Sequence, residues 1–212
     1  MSSDQRFINL EPTWRGYVAT TRDALILFQL SADSRLHHVP RRPHDKERAE
    51  LIVSGNTFIY EESSSGIKRW TDGFNWSPSR ILGNFLIYRE LEKAFAPGEK
   101  KRAMKKNKNG ITKLADRRAS NGSELPNLSQ THPDLDRGLI GSLVDSYPFK
   151  ENGLIKKTIS IIWEGSPHHL VSYYNIDDVK SGKLLPISQI EEYRNFMPPT
   201  EIIAAQSFRV PL

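Results

Sequence analysis

Cysteine is absent from the 212-residue chain, which excludes disulfides, thiolate metal sites and cysteine nucleophiles together. No run of about 18 consecutive apolar residues occurs, so no membrane-spanning helix is expected. The first residues, Met1-Ser2-Ser3-Asp4-Gln5-Arg6, lack the apolar stretch of a secretory signal. An intracellular protein is therefore expected, and the sequons at Asn75, Asn121 and Asn127 carry no glycosylation meaning. Also missing are His-Glu-x-x-His, Gly-x-Ser-x-Gly, a phosphate loop and a dinucleotide glycine pattern. The nearest approach to a catalytic or metal-binding set is His168/His169 with Asp177/Asp178. Adjacent residues on a strand point to opposite faces, so the two His cannot ligate one metal. An enzyme is not expected, nor a cofactor, a metal or a small-molecule substrate.

Hydrophobic residues make up only 37% of the chain against 26% charged, a polar balance that implies an unstructured portion. Apolar periodicity stops from about 93 to 148, where Ser, Asn, Pro and Gly dominate. Compact domains seldom contain structureless loops this long, so residues 93–148 read as a flexible basic linker or insertion. Residues 93–137 hold 11 Lys+Arg against 5 Asp+Glu, whereas the remainder holds 19 against 20. The chain's net charge of +5 therefore sits in the linker and says little about the folded part. Within the linker, Lys100-Lys101-Arg102 and Lys105-Lys106-Asn107-Lys108 suit a nuclear-import signal, a non-specific nucleic-acid tether or a merely solvated tract.

The stretch around which the chain is organised runs from Ser65 to Glu90. It contains two of the four Trp and four cations, Lys68, Arg69, Arg80 and Arg89. Asp72-Gly73 signals a tight turn, because Gly accepts positive φ and Asp tolerates it. Short polar-aromatic arms flank the turn and present Lys68, Arg69 and Thr71. Ser77-Pro78 has the pattern of an N-cap followed by a first-turn proline, with Arg80 on the helical turn after it. Phe85 to Tyr88 reads as a buried strand. Trp beside Arg suits stacking and bidentate recognition of planar or phosphate groups. The plainer alternative is a structural loop whose Trp side chains fill the core.

Trp14 to Thr20 reads as a strand, and Thr21 as the N-cap of a helix reaching Leu30, with Asp23 as a capping or ion-pairing carboxylate and Arg22 free to reach outward. His44 to Glu50 reads as a short charged helix preceded by Arg41 and Arg42 in a proline-bounded turn. Leu51 to Glu62 is a strand interrupted at Gly55, with Phe58 and Tyr60 on one side and Ile59 on the other. Order returns near Phe149. Leu154 to Trp163 and His168 to Tyr174 alternate around a Glu164-Gly165-Ser166-Pro167 turn, which makes a hairpin. A lone hairpin is barely stable, so this one must pack on the strands of the first half. Beyond it, Asp177 to Gly182 and Ser188 to Asn195 read as short helices. The fold class expected is α+β: a single globular domain, mainly antiparallel β-sheet with short helices. Two intertwined halves, 7–92 and 149–205, build it.

Ser65-Gly66-Ile67-Lys68-Arg69-Trp70-Thr71-Asp72-Gly73, then Trp76-Ser77-Pro78-Ser79-Arg80, Gly83, Phe85-Leu86 and Tyr88-Arg89-Glu90 resemble the signature of the WOPR (Gti/Pac-type) domain. Gly16 to Leu27 is similar to the start of that domain, and Gly153 to Ser160, His169 to Tyr174 and Asp178-Val179 to its second half. The family comprises fungal transcription regulators that bind DNA. The resemblance implies one intertwined domain, a nuclear protein, and sequence-specific binding of A·T-rich duplex DNA.

On that basis Lys68 and Arg69 are the first candidates for groove contacts, carried by the loop of Trp70, Thr71, Asp72 and Gly73. Trp70 and Trp76 are expected to brace the loop, and Asp72 to orient an Arg. Thr71, Ser77, Ser79 and Arg80 are candidates for phosphate anchoring. Thr21, Arg22, Arg41 and Arg42 form a second rank, and Lys156 and Lys157 a third. A cationic Gly-bounded loop suits the minor groove, whose negative potential is strongest at A·T-rich sequence. No heptad repeat is present, so a monomer on DNA is expected. The competing expectation is a protein-interaction module. Its aromatic docking surface would be built from Trp14, Trp70, Trp76, Trp163, Tyr17 and Tyr88, and the basic linker would supply only non-specific nucleic-acid affinity.

Overall fold

A computed structural model describes residues 9–96, 133–144 and 146–212 of the chain. In chain order the elements are β1 (Trp14–Arg15), α1 (Thr21–Ala32), α2 (Arg48–Leu51), β2 (Asn56–Glu61), α3 (Glu62–Ser65), β3 (Arg80–Leu82) and β4 (Phe85–Arg89). The second half contributes α4 (Pro133–Ile140), β5 (Ile155–Trp163), β6 (Ser166–Tyr174), α5 (Ile176–Lys180) and α6 (Thr200–Ala204). No helix among the described residues is long and apolar enough to cross a membrane.

The strands form one six-stranded antiparallel sheet in the order β1-β2-β6-β5-β4-β3. The β5–β6 hairpin therefore lies at the centre, with first-half strands on both sides. Its turn is a two-residue loop in which Glu164 and Gly165 both have positive φ, 48° and 77°, which matches the right-handed twist of the paired strands. Ser166 and Pro167 already pair with Trp163 and Ile162. Each half covers an edge that the other would expose, so neither half alone completes a sheet. Glu90, at the end of β4, reinforces the seam. It accepts from Lys150 Nζ at 2.7 Å and from the backbone N–H of Leu154 at 2.9 Å.

The period-2 alternation of the hairpin divides the core between two faces. Ile59, Phe85, Ile159, Ile161 and Leu170 pack under α1 together with Val18, Leu25 and Phe28. Phe58, Tyr60, Val171 and Tyr173 pack on the opposite face with Leu51, Ile52 and Ile67. Helix α1 starts one residue earlier than the sequence suggests. Thr20, not Thr21, is the N-cap, and a reciprocal capping box with Asp23 fixes it. Asp23 is fully buried and also accepts from the Ser188 N–H at 3.1 Å, so its role is structural, as expected. The Trp14–Thr20 strand shrinks to β1, and the His44–Glu50 helix to α2, since neither has a long enough apolar face to extend further.

Two expectations are overturned. Ser77-Pro78 opens no helix. Instead the Ser77 N–H donates to Arg89 O at 2.9 Å, its Oγ accepts from Arg89 N at 3.1 Å, and Arg80–Leu82 pairs with Phe85–Ile87 as β3. Only a few residues separate Pro78 from the Gly83-Asn84 turn, too few for a helix to compete with strand pairing. The 93–148 linker also ends sooner than expected. Helix α4 forms within it, and Leu139, Ile140, Leu143 and Tyr147 are buried. Its apolar residues are too few and too closely spaced to show a period, and they gain order only by packing on Ile87, Leu91, Ile155 and Tyr174. The basic cluster at 100–108 lies outside the described residues.

Among the described residues, Lys157 is the cation driven deep beneath α1. It is 2% exposed, and its ammonium donates to Val18 O and Ala19 O at 2.8 and 2.9 Å. Burial lowers its pKa from the ordinary 10.5 to about 7, with Asp23 opposing the shift. Between those values the unfolded chain binds a proton that the folded chain does not, so stability rises with pH. Urea denaturation should show a gain of about 2 kcal/mol between about pH 7.5 and 9 that is missing in Lys157→Met. Equal pH slopes for the two proteins would refute this assignment.

Candidate nucleic-acid interface

The Gly66–Ser79 loop crosses the sheet face opposite α1. Its entry is set at Gly66, the left-handed C-cap of α3 with φ 67°, and its turn at Gly73, with φ 78°. The left-handed backbone at Gly73 favours glycine, and the Arg48 guanidinium lies directly over it, 2.2 Å from where a Cβ would sit. Between these points Ile67 is buried while Lys68, Arg69 and Thr71 are exposed. The side chains of Lys68 and Arg69 make no hydrogen bond or ion pair among the described residues.

Asp72 holds the loop down. It is 3% exposed, and four donors converge on it. Oδ1 accepts from Trp76 Nε1 at 2.8 Å and from the Phe74 N–H at 3.2 Å. Oδ2 accepts from Tyr173 Oη at 2.7 Å and from Lys156 Nζ at 3.1 Å. Trp70 Nε1 donates to the same Tyr173 hydroxyl at 2.7 Å, and its ring stacks on Tyr60 at 5.5 Å between centroids. The Lys156 ammonium lies 4.6 Å from the centroid of Trp76 and 4.9 Å from that of Tyr88. Burial lowers the Lys156 pKa, with Asp72 pulling the other way, and burial beside Asp72 holds the Tyr173 phenol well above its ordinary range. Trp70 and Trp76 brace the loop as expected. Asp72 orients Lys156, a tyrosine and a tryptophan rather than an arginine.

The remaining candidates divide by position. Arg42 Nε donates to Arg69 O at 2.8 Å and so joins the loop. Arg41 forms a two-pronged pair with Glu47, both bonds 2.7 Å, which draws the Glu47 carboxyl down to about 2. With Arg48, Ser65 and Thr71 these arginines line a cavity of about 480 Å³ beside the loop. Arg48 carries no sequence motif; only the fold reveals that it lies over Gly73. Arg80 is half-buried, donating to Tyr147 Oη at 3.2 Å, with Ser79 next to it. Ser77 is buried and its hydroxyl serves the backbone. Thr21, Arg22 and Lys157 lie on the α1 side, away from the loop. Thr21 Oγ1 accepts from Asn84 at 3.0 Å, and Arg22 donates to Arg194 O and Phe196 O at 2.7 and 3.1 Å. The aromatic set is split likewise. Trp14 and Trp163 pack under α1, Tyr17 is buried against Tyr174, and Trp70 and Trp76 pack on the loop face. No single aromatic surface results.

Because Asp72 balances a buried Lys156, its loss leaves an uncompensated charge. Asp72→Asn should destabilise the protein by about 3–5 kcal/mol in urea denaturation, and Lys156→Met added to it should recover part of that. A loss below about 1 kcal/mol, the range of an exposed ion pair, would show that the hub does not secure the loop.

Residues 13–175 match the Gti1/Pac2 family model. The chain is 54% identical to the global transcription regulator sge1 of Verticillium dahliae, over 97% of this chain and 44% of that protein. It is likewise 54% identical to sge1 of Fusarium oxysporum, over 96% of this chain and 64% of the relative. The chain thus spans roughly half to two thirds of these curated relatives, which are named as regulators and not as enzymes. Among solved structures, the WOPR domain of Wor1 from Candida albicans in complex with a 13bp double-stranded DNA superposes with a TM-score of 0.61. It is 32% identical and is matched over 94% of this chain and all of that one. With the signature loop, the two-halved sheet and these relatives in agreement, the chain belongs to the Gti1/Pac2 family.

Proposed function

We propose that this chain is the DNA-binding part of a nuclear transcription regulator, and that it recognises an A·T-rich duplex as a monomer. The observation that carries the reading is the loop itself. Lys68 and Arg69 stand exposed and unpaired among the described residues, on a backbone held by a buried carboxylate with four donors. With the backbone held in this way, only the side chains of these cations need ordering when they meet a phosphate or base edge. Kinship with a domain solved on double-stranded DNA supports the same partner.

In this reading Arg69 and Lys68 enter the minor groove, where narrow A·T-rich sequence concentrates negative potential. Thr71, Arg42 and Arg41 anchor flanking phosphates beside the loop, with Ser79 and Arg80 at its exit. Arg48 joins them as a cation that sequence alone does not single out. Trp70, Asp72, Gly73 and Lys156 serve by shaping the loop. The reading gives no part in this contact to Thr21, Arg22 and Lys157, which lie on the α1 side, or to the buried Ser77.

A titration with a randomised duplex pool at two salt concentrations tests the proposal. Wild type should enrich one A·T-rich motif, and Arg69→Ala should lose that enrichment at a cost of about 1–3 kcal/mol. Arg42→Ala should instead weaken binding on all sequences alike and reduce the salt slope by about one. Binding without enrichment, unchanged in Arg69→Ala, would move the reading to an interaction module with only non-specific nucleic-acid affinity.

A further inference from the structure

Beside the loop, part of the same sheet face is left open. A cleft of about 250 Å³ runs between Lys68 and Arg69 on one wall and strands β4, β5 and β6 on the other. Its floor carries Tyr88, Thr158, Ser160 and His169. Strand register brings the last two together: Tyr60 pairs with His169, and His169 with Ser160.

These side chains form a relay. Ser160 Oγ lies 2.6 Å from His169 Nδ1, and His169 Nε2 lies 2.7 Å from Glu62 Oε1. The imidazole stacks on Tyr60 with ring centroids 4.9 Å apart. Glu62 from α3 fixes the chemistry. An unprotonated Nε2 would set two acceptors against each other, so Nε2 carries hydrogen and donates to the carboxylate. In neutral imidazole Nδ1 then accepts the Ser160 hydrogen, and the serine oxygen shows only lone pairs to the cleft. In imidazolium, Nδ1–H donates to Ser160 Oγ, and the hydroxyl hydrogen turns outward as a donor. The other groups facing this ring are the Tyr60 phenol, Lys68 and Arg69 across the cleft, and Lys156 further along it.

We infer that this cleft is a second, proton-linked contact for the duplex held by the loop. A backbone phosphate oxygen accepts from Ser160 more favourably when His169 is imidazolium, because the hydroxyl then has no bond to Nδ1 to give up. The inference rests on the reading of Lys68 and Arg69 as groove residues. It adds Ser160 as a phosphate ligand and His169, with Glu62, as the pair that sets the direction of its hydroxyl. The phosphodiester fits the cleft because cations line one wall and hydroxyls the floor, the two donor types that phosphate oxygens accept from.

The test measures affinity for the enriched duplex at about pH 6 and 8, the range in which histidine changes charge. Wild type should bind about threefold or more tightly at the lower pH, and His169→Gln should abolish that rise. Ser160→Ala is the second variant, since its site is exposed; it too should abolish the rise while its thermal melting stays that of wild type. A methylphosphonate scan of the duplex should find one position whose neutralisation removes the pH dependence in wild type, while in Ser160→Ala it lowers affinity equally at both pH values. A wild-type rise that persists in both variants, or no rise at all, overturns the inference and leaves the loop reading intact. A wild type without sequence preference overturns both.

Discussion

The carboxylate of Asp72 is the interaction on which the candidate site depends. Sequence-local partners, the Phe74 N–H and the Trp76 indole, fold the loop on itself. The distant partners, Lys156 of β5 and Tyr173 of β6, fasten the folded loop to the central hairpin. A buried carboxylate is costly to desolvate, and here each oxygen is answered by two donors, one side of the charge being neutralised by Lys156. The result is a short irregular segment tied to the sheet beneath it, with Lys68 and Arg69 turned to solvent. A loop anchored only at its ends would have to be ordered again at each encounter.

The same hairpin joins the two sequence halves. Because β5 and β6 fill the middle of the sheet, the loop from the first half can rest on strands from the second. Loop geometry thus depends on the docking of segments far apart in sequence. The faces also divide the labour. One is closed by α1 and the C-terminal turns around an apolar cluster that includes the stem of Lys157. The other carries the loop, the arginines at 41, 42 and 48, and the open cleft with His169. Adjacent lysines make the division plain. Lys156 and Lys157 differ by one position, and the pleat sends one to Asp72 and the other to the carbonyls before α1.

Sequence by itself determined a good deal here. Alternation in Leu154–Trp163 and His168–Tyr174 specifies a two-faced hairpin, because a period of two has one geometric meaning. The Asp72-Gly73 turn was legible because positive φ at that point admits little but glycine, and the exposed cations were legible by their position beside it. The signature from Ser65 to Glu90 carried the family resemblance. Tertiary structure decided what depends on competition between alternatives of similar local energy. Ser77-Pro78 fits a helix start equally well until β4 offers its backbone, and Leu139 to Tyr147 are too short an apolar set to show order until they meet Ile87 and Leu91. Only the fold could bring Arg48 over Gly73, place Thr21 and Arg22 away from the loop, and line up Glu62, His169 and Ser160. Those relations join residues many positions apart, and no local pattern encodes a distance that exists only once the sheet has closed.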